Sequence, residues 1–410
     1  MTFVLAGEVE SFRRRLTQVL KRAKAWELAG ATPLDRCAAL LILAEPVRLA
    51  EAWRLHGPGP PSRFSSDARP RRALVIEAGA VLDVAGITLD FGQAQVGTQG
   101  GNIHLSAETG AISIGSGSLL DVSPSPVEGV AGQIVIESPN DVFAVAPDAA
   151  LISGSRGAEF YLDANMLQVG NVNSAAAYTD LNVLLGSGDF SGRRDIRLRD
   201  QDILFDRITD QNGQAFVLRA HNVRAVSDTG SVLVRGTIDA SGDPGDKLNA
   251  DGGSIVLAAG DSVDIEASAV LQATGAVDGT GTPVADSKGG LVEFYALDAD
   301  GSDATGVQDM VNLSSGALID VSGGASSIPA PDQRIVSALE KTGGKVLVYT
   351  RRLDSDLDDQ SDYLVLGELN ATIRGADNTA VVATRTIRDD TVIGMGGSGL
   401  PVVFDIDRDM

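Results

Sequence analysis

One short pattern recurs along most of this chain and limits its fold more than any other feature. A Gly-Gly pair followed by an alternating strand runs from Gly100 to Ala107 and again from Gly252 to Ala259. It recurs at Gly289-Gly290 with Val292, Phe294 and Ala296, and at Gly343-Gly344 with Val346 and Val348. Ala131-Gly132 with Ile134 and Ile136 is a variant. A second element ends in an apolar residue, Asp, a small residue and usually Gly. It occurs at Leu82-Asp83-Val84-Ala85-Gly86, Leu120-Asp121-Val122-Ser123, Ile238-Asp239-Ala240-Ser241-Gly242 and Ile319-Asp320-Val321-Ser322-Gly323, with Leu271-Gln272-Ala273-Thr274-Gly275 as a degenerate copy. Short alternating strands such as Gly110 to Ile114 and Asp261 to Ile265 lie between the two elements.

Each unit is thus three short alternating strands joined by turns. A unit of this kind cannot bury its apolar face alone, but stacked units bury it against those above and below. The pattern therefore predicts a parallel β-helix from residue 73 to 410, less regular at 163–230 and 350–410. Units of uneven length, with three unlike strands, favour the right-handed form over the strict hexapeptides of the left-handed one. Leu82, Val84, Ile103, Leu105, Ile112, Ile114, Leu120, Val122, Ile255, Leu257, Ile319 and Val321 are expected inside, and Asp83, Asp121 and Asp320 exposed. Insertions at 276–288 and 324–342 are expected in turns. Some ten to twelve coils at about 4.8 Å each give a rod roughly 50–60 Å long.

The first 72 residues differ. Residues 8–30 carry Val9, Phe12, Leu16, Val19, Leu20 and Ala23 at helical spacing among basic residues. Thr32-Pro33 opens a second helix. Residues 1–56 thus read as a short helical extension, either foreign to the fold or a cap on the solenoid, and 57–72 as a Pro/Arg-rich linker. These 72 residues carry 13 basic and 7 acidic side chains, whereas the rest of the chain carries 20 and 48. An excess of 28 negative charges repels nucleic acid, so no nucleic-acid partner is expected.

Aromatics are 4% of the chain, so the core is expected to consist of Val, Ile, Leu and Ala. A single cysteine, Cys37, forbids an intrachain disulfide. No apolar run approaches the roughly 18 residues of a membrane span, and no signal peptide is visible at the N-terminus.

The Gly-Gly strands and Asp-containing turns of residues 73–350 resemble the passenger regions of filamentous haemagglutinin-type exoproteins, which two-partner systems secrete across the outer membrane of Gram-negative bacteria. The secretion domain and Asn-Pro-Asn-Gly motif of that family have no counterpart here. The resemblance implies an internal piece of a large exoprotein, located outside the cell or on its outer surface. It implies an outer-membrane transporter as a partner of the full-length protein, and a host or neighbouring-cell surface glycan or protein as the adhesion target.

Chemistry-bearing motifs are sparse. The recurrent Asp side chains are read as bonding their own turn backbone, as Asp commonly does. The Gly-Gly pairs lack the helix and lysine of a nucleotide loop and are read as turns. Asp298, Asp300 and Asp303 form a weak calcium candidate, because hard oxygen ligands suit Ca²⁺ but Gly301 is misplaced for an EF-hand loop. A second acidic run holds Asp354, Asp356, Asp358, Asp359 and Asp362. His104 alternates with Ile103 and Leu105 and should face solvent. No catalytic residue or cofactor is expected, and the chain is read as a non-enzymatic adhesive segment. Two alternatives stand beside that reading. One is a β-helical polysaccharide lyase or glycoside hydrolase, signalled by carboxylates or Arg/Lys clustered along one face. The other is a truncated, nonfunctional fragment of an exoprotein.

Overall fold

Backbone contacts divide the chain into two units, residues 1–62 and 63–410. The computed structural model describes residues 73–384, except 155–156, 210–212, 244–249, 279, 281, 283, 297–309, 325–341, 354–362 and 365. The helices expected in residues 1–56 and the linker at 57–72 lie outside the described residues, as do both acidic runs considered for calcium.

The described chain is a parallel β-helix. Its long face stacks Asn102–Ser106, the first part of Gln133–Val145, the first part of Glu159–Val169, Arg193–Leu198, Asn222–Ser227, Ser254–Ala259, Leu291–Ala296, Gly344–Leu353 and Ala376–Thr384. Neighbours in this series pair in parallel. A second face stacks Ile203–Phe205, Val232–Val234, Val263–Ile265 and Val311–Leu313. A third stacks Val217–Arg219, Thr237–Asp239, Val270–Gln272, Leu318–Asp320 and Thr372–Arg374. In the first coils the third face is built by Val81–Asp83, Leu119–Asp121 and Ala150–Ile152 in the same parallel sense. Successive strands of one face are joined by full coils, and for such parallel crossovers strand twist strongly favours the right-handed sense.

Period-two burial explains why these sequences form the coil. Ile103, Ile134, Phe160, Val223, Ile255, Val292 and Val346 form one inward row of the long face, and their neighbours along each strand point outward. Of the residues expected inside, Ile103, Leu105, Ile112, Ile114, Leu120, Val122, Ile255, Leu257, Ile319 and Val321 are buried. Leu82 is only half-buried and Val84 is 36% exposed, against expectation. Both belong to the first described coil, where described neighbours stack on one side only. Asp83 is exposed, but Asp121 and Asp320 are half-buried, because outward side chains on a ladder shield one another.

The double glycines are not left-handed turns. None of Gly100, Gly101, Gly252, Gly253, Gly289, Gly290 or Gly344 has a positive φ. They are demanded by stacking. A Cβ on Gly253 would overlap the His221 carbonyl oxygen, one on Gly290 the Gly253 carbonyl, and one on Gly344 the Gly290 carbonyl. Glycine is the residue that lets successive backbones approach this closely at a corner.

An unexpected element lies within 163–230. An α-helix, α1 (Ala177–Ser187), takes the place of a third-face strand between Ala150–Ile152 and Val217–Arg219. It buries Ala177, Tyr178, Leu181 and Leu185 at helical spacing. The Ser153 amide and hydroxyl both donate to the Gly188 carbonyl, and the Thr179 hydroxyl donates to the Leu204 carbonyl. Aromatics collect here: Phe160 meets Phe190 edge-on at 6.0 Å, and Phe205 does the same with Tyr178 and Phe216 at 6.4 and 6.2 Å. The expectation of an entirely aliphatic and alanine core fails here, and also in the regular strands, where Phe143 and Phe294 are fully buried.

Candidate functional site

The two recurrent sequence elements close one corner of the coil. The carbonyl that follows the Asp position accepts a hydrogen bond from the second glycine of the next pair. This holds for Val84 with Gly101, Val122 with Gly132, Ala240 with Gly253, Ala273 with Gly290 and Val321 with Gly344, at 2.7–2.8 Å. Each bond forms a neck, and the chain between its two partners is free to vary in length. The excursions at 85–100, 123–131, 241–252, 274–289 and 322–343 therefore all leave from the same corner. The insertion expected at 276–288 falls in one of them, and all but the ends of that expected at 324–342 lies outside the described residues.

The Asp at each neck plays the structural part expected. Asp83 Oδ1 accepts from the Ala85 amide at 2.9 Å, Asp121 Oδ1 from Ser123 at 2.9 Å, Asp239 Oδ1 from Ser241 at 3.1 Å, and Asp320 Oδ1 from Ser322 at 3.0 Å. The outward row of the third face reads Arg219, Asp239, Gln272, Asp320, Arg374 in register. Gln272, the apparent degeneracy, separates two carboxylates that would otherwise be ladder neighbours to a third. Arginines stand at both ends of the row, and Arg219 Nε lies 3.4 Å from Asp239 Oδ2.

Charges of both signs gather on the outward long face. Arg197 pairs with Asp228 at 2.8 Å, Arg199 with Asp163 at 2.7 Å and Arg224 with Asp195 at 2.9 Å. Arg193 sits 5.8 Å above the Tyr161 ring, and Tyr161 donates to Glu159 at 2.6 Å. Hydrogen bonding from Arg199 holds the Asp163 carboxyl below its ordinary pKa. Burial, assisted by Glu159, raises the Tyr161 phenol to about 12. Carboxylates and arginines clustered along one face are the feature named above for the lyase or hydrolase alternative. These arginines are engaged with carboxylates or a ring, so the cluster reads as a cross-coil clamp. Farther along the same face Tyr295 and Tyr349 stack at 4.2 Å and 4°.

His104 faces solvent as expected and contacts Glu137 at 3.0 Å. Asp298, Asp300 and Asp303 lie outside the described residues. Among the described residues no three His, Cys, Asp or Glu side chains are grouped as metal ligands.

A hairpin that the repeat pattern does not announce lies in the first excursion. Thr88–Asp90 pairs antiparallel with Gln95–Gly97. Gly92 opens its two-residue turn with φ +83°, a conformation that favours glycine. Ile87-Thr88-Leu89-Asp90-Phe91-Gly92 carried the signal, an alternating run ending at glycine. No known protein family, curated protein or solved structure matches the chain.

Proposed function

We propose that this chain is a structural, adhesive segment of a large bacterial secreted or surface exoprotein of the filamentous haemagglutinin type, acting by display rather than by catalysis. The observation that carries the reading is the alignment of five excursions on one corner of a repeating scaffold. The neck bonds hold that scaffold constant whatever the loop contains, so loop sequence can change without disturbing the coil. Repeated presentation along a stiff axis favours multivalent contact, in which weak individual sites add up to firm attachment. The acidic surface limits sticking to the anionic envelope of the producing cell. The target class is a surface glycan or protein on a host or neighbouring cell, and the site of action is outside the cell.

The test is adhesion of the purified chain, immobilised on beads, to cells before and after glycosidase or protease treatment. Saturable adhesion lost after one treatment supports the reading and names the target class. Absence of adhesion, or turnover of acidic polysaccharide by the purified chain, overturns it.

A further inference from the structure

Two tyrosines meet on the long face beyond the charged clamp. Tyr295 and Tyr349 are partners in register on neighbouring parallel strands, at outward positions of the coil. Their ring centroids are 4.2 Å apart and their planes are 4° from parallel. Ala258 precedes them in the row and Val382 follows, so no other ring stands beside the pair in register. Both are half-buried. The other tyrosines whose side chains are described are placed differently. Tyr178 is buried edge-on to Phe205, and the Tyr161 ring lies under the Arg193 guanidinium.

Stacked phenols react with each other once oxidised. Free phenoxyl radicals must meet by diffusion, whereas the scaffold already holds these two rings in contact. We propose that Tyr295 and Tyr349 are a modification site at which a one-electron oxidant joins them as dityrosine, a covalent staple between successive coils. Each phenol gives up one electron and its proton, which leaves two phenoxyl radicals. Their unpaired electrons form one carbon–carbon bond between ring positions ortho to the oxygens. The hydrogen on each joined carbon then moves to the oxygen of its ring, and both rings recover aromaticity. Hydrogen peroxide, acting through a peroxidase, takes up the two electrons and two protons and leaves as two waters. Burial, with Glu293 and Tyr349 beside it, holds the Tyr295 phenol above its ordinary pKa, so its proton must leave as it is oxidised. Glu293, two residues away on the same outward face and hydrogen-bonded to that phenol, is the base at hand.

Covalent closure matters in this chain, because its one cysteine excludes an intrachain disulfide. A bond between Tyr295 and Tyr349 closes the chain between them into a loop. A cross-link of that kind stabilises mainly by restricting the unfolded chain. The assignment goes beyond the adhesive reading and does not depend on it.

The test treats the full chain, in dilute solution, with peroxidase and hydrogen peroxide. A parallel sample receives photo-excited ruthenium tris-bipyridine with persulfate, a small one-electron oxidant. The expected product is a monomer that shows dityrosine fluorescence and has lost two hydrogen atoms by intact mass. Trypsin separates the two tyrosines in the untreated chain, since Lys341 and Lys345 lie between them, and after treatment their peptides should travel as one. Tyr295→Phe and Tyr349→Phe each keep the ring and are expected to abolish the signal, with circular dichroism verifying the fold. Tyr161→Phe is expected to couple as the parent does. The linked monomer should unfold at a higher urea concentration than the untreated chain, and an unchanged midpoint would overturn the staple. Dityrosine confined to covalent dimers, a monomer signal that survives Tyr349→Phe, or no coupling by either oxidant would overturn the site itself.

Discussion

Arg194 Nη1 donates to both the backbone carbonyl and the side-chain oxygen of Asn182, at 3.0 and 3.1 Å, from inside the core. Arg194 occupies an inward position of the long face, in register between Phe160 and Val223. Its Nε donates to the Phe190 carbonyl at 2.8 Å. The last turn of α1 contains no basic residue, so this strand residue brings a cation to the C-terminal half of the helix, where the dipole favours one. Burial lowers its pKa to about 10, which is still charged at neutral pH.

Replacing Arg194 by Leu is expected to lower stability by about 2 kcal/mol, because buried acceptors on Asn182 and Phe190 lose their donor. Arg194→Lys should not restore it, since an ammonium cannot reproduce the planar fork. Urea denaturation reads both, and an unchanged midpoint for Arg194→Leu would contradict the clasp. Tyr178→Phe serves as the contrast. Its hydroxyl is buried without a hydrogen-bond partner, so its removal is expected to be neutral or stabilising by up to about 1 kcal/mol.

Gln272→Asp would set a third carboxylate in register between Asp239 and Asp320. Like charges directly opposed on a ladder repel, so a loss of roughly 0.5–1 kcal/mol is expected at low salt. Melting curves should show the loss shrinking as salt is raised, and a salt-independent loss would point to packing instead.

Gly253→Ala and Gly117→Ala separate two reasons for glycine. At Gly253 a Cβ overlaps a carbonyl of the neighbouring coil, whereas at Gly117 nothing lies within 4 Å but φ is +66°. Thermal unfolding should show a cost of about 1 kcal/mol at Gly117. At Gly253 the cost should exceed 3 kcal/mol or soluble protein should be lost, since two coils must move apart. Equal costs would refute the stacking explanation.

Acid should loosen the long-face clamp through Asp163. Its folded-state pKa lies below the ordinary 3.8, chiefly because Arg199 donates to it. The contribution is therefore present above about pH 4 and is lost as pH falls through the lower folded value. Urea midpoints measured from about pH 7 down to about pH 2.5 should show Asp163→Asn losing part of the acid dependence seen in the parent. Identical slopes would mean that Asp163 contributes nothing to it.

The sequence by itself determined the repeating coil. Alternation placed Ile103, Ile112, Ile255 and Ile319 inside, and the Asp-containing turns and double glycines marked the corner where excursions leave. These are local properties, since an extended strand sends neighbouring side chains to opposite faces whatever surrounds it. Tertiary structure decided the rest. The spacing of Ala177, Tyr178, Leu181 and Leu185 was helical, but whether a helix could stand in for a strand depended on the coils on either side of it. Arg194 shares the inward parity of Ile196 and Leu198, but only the tertiary structure supplies the Asn182 and Phe190 carbonyls that let a guanidinium stand there. Gln272 looked like a decayed repeat until register placed it between two carboxylates. Ile87 and Phe91 alternate with polar residues as core residues do, yet both are exposed, because alternation states which residues share a face and not what that face meets.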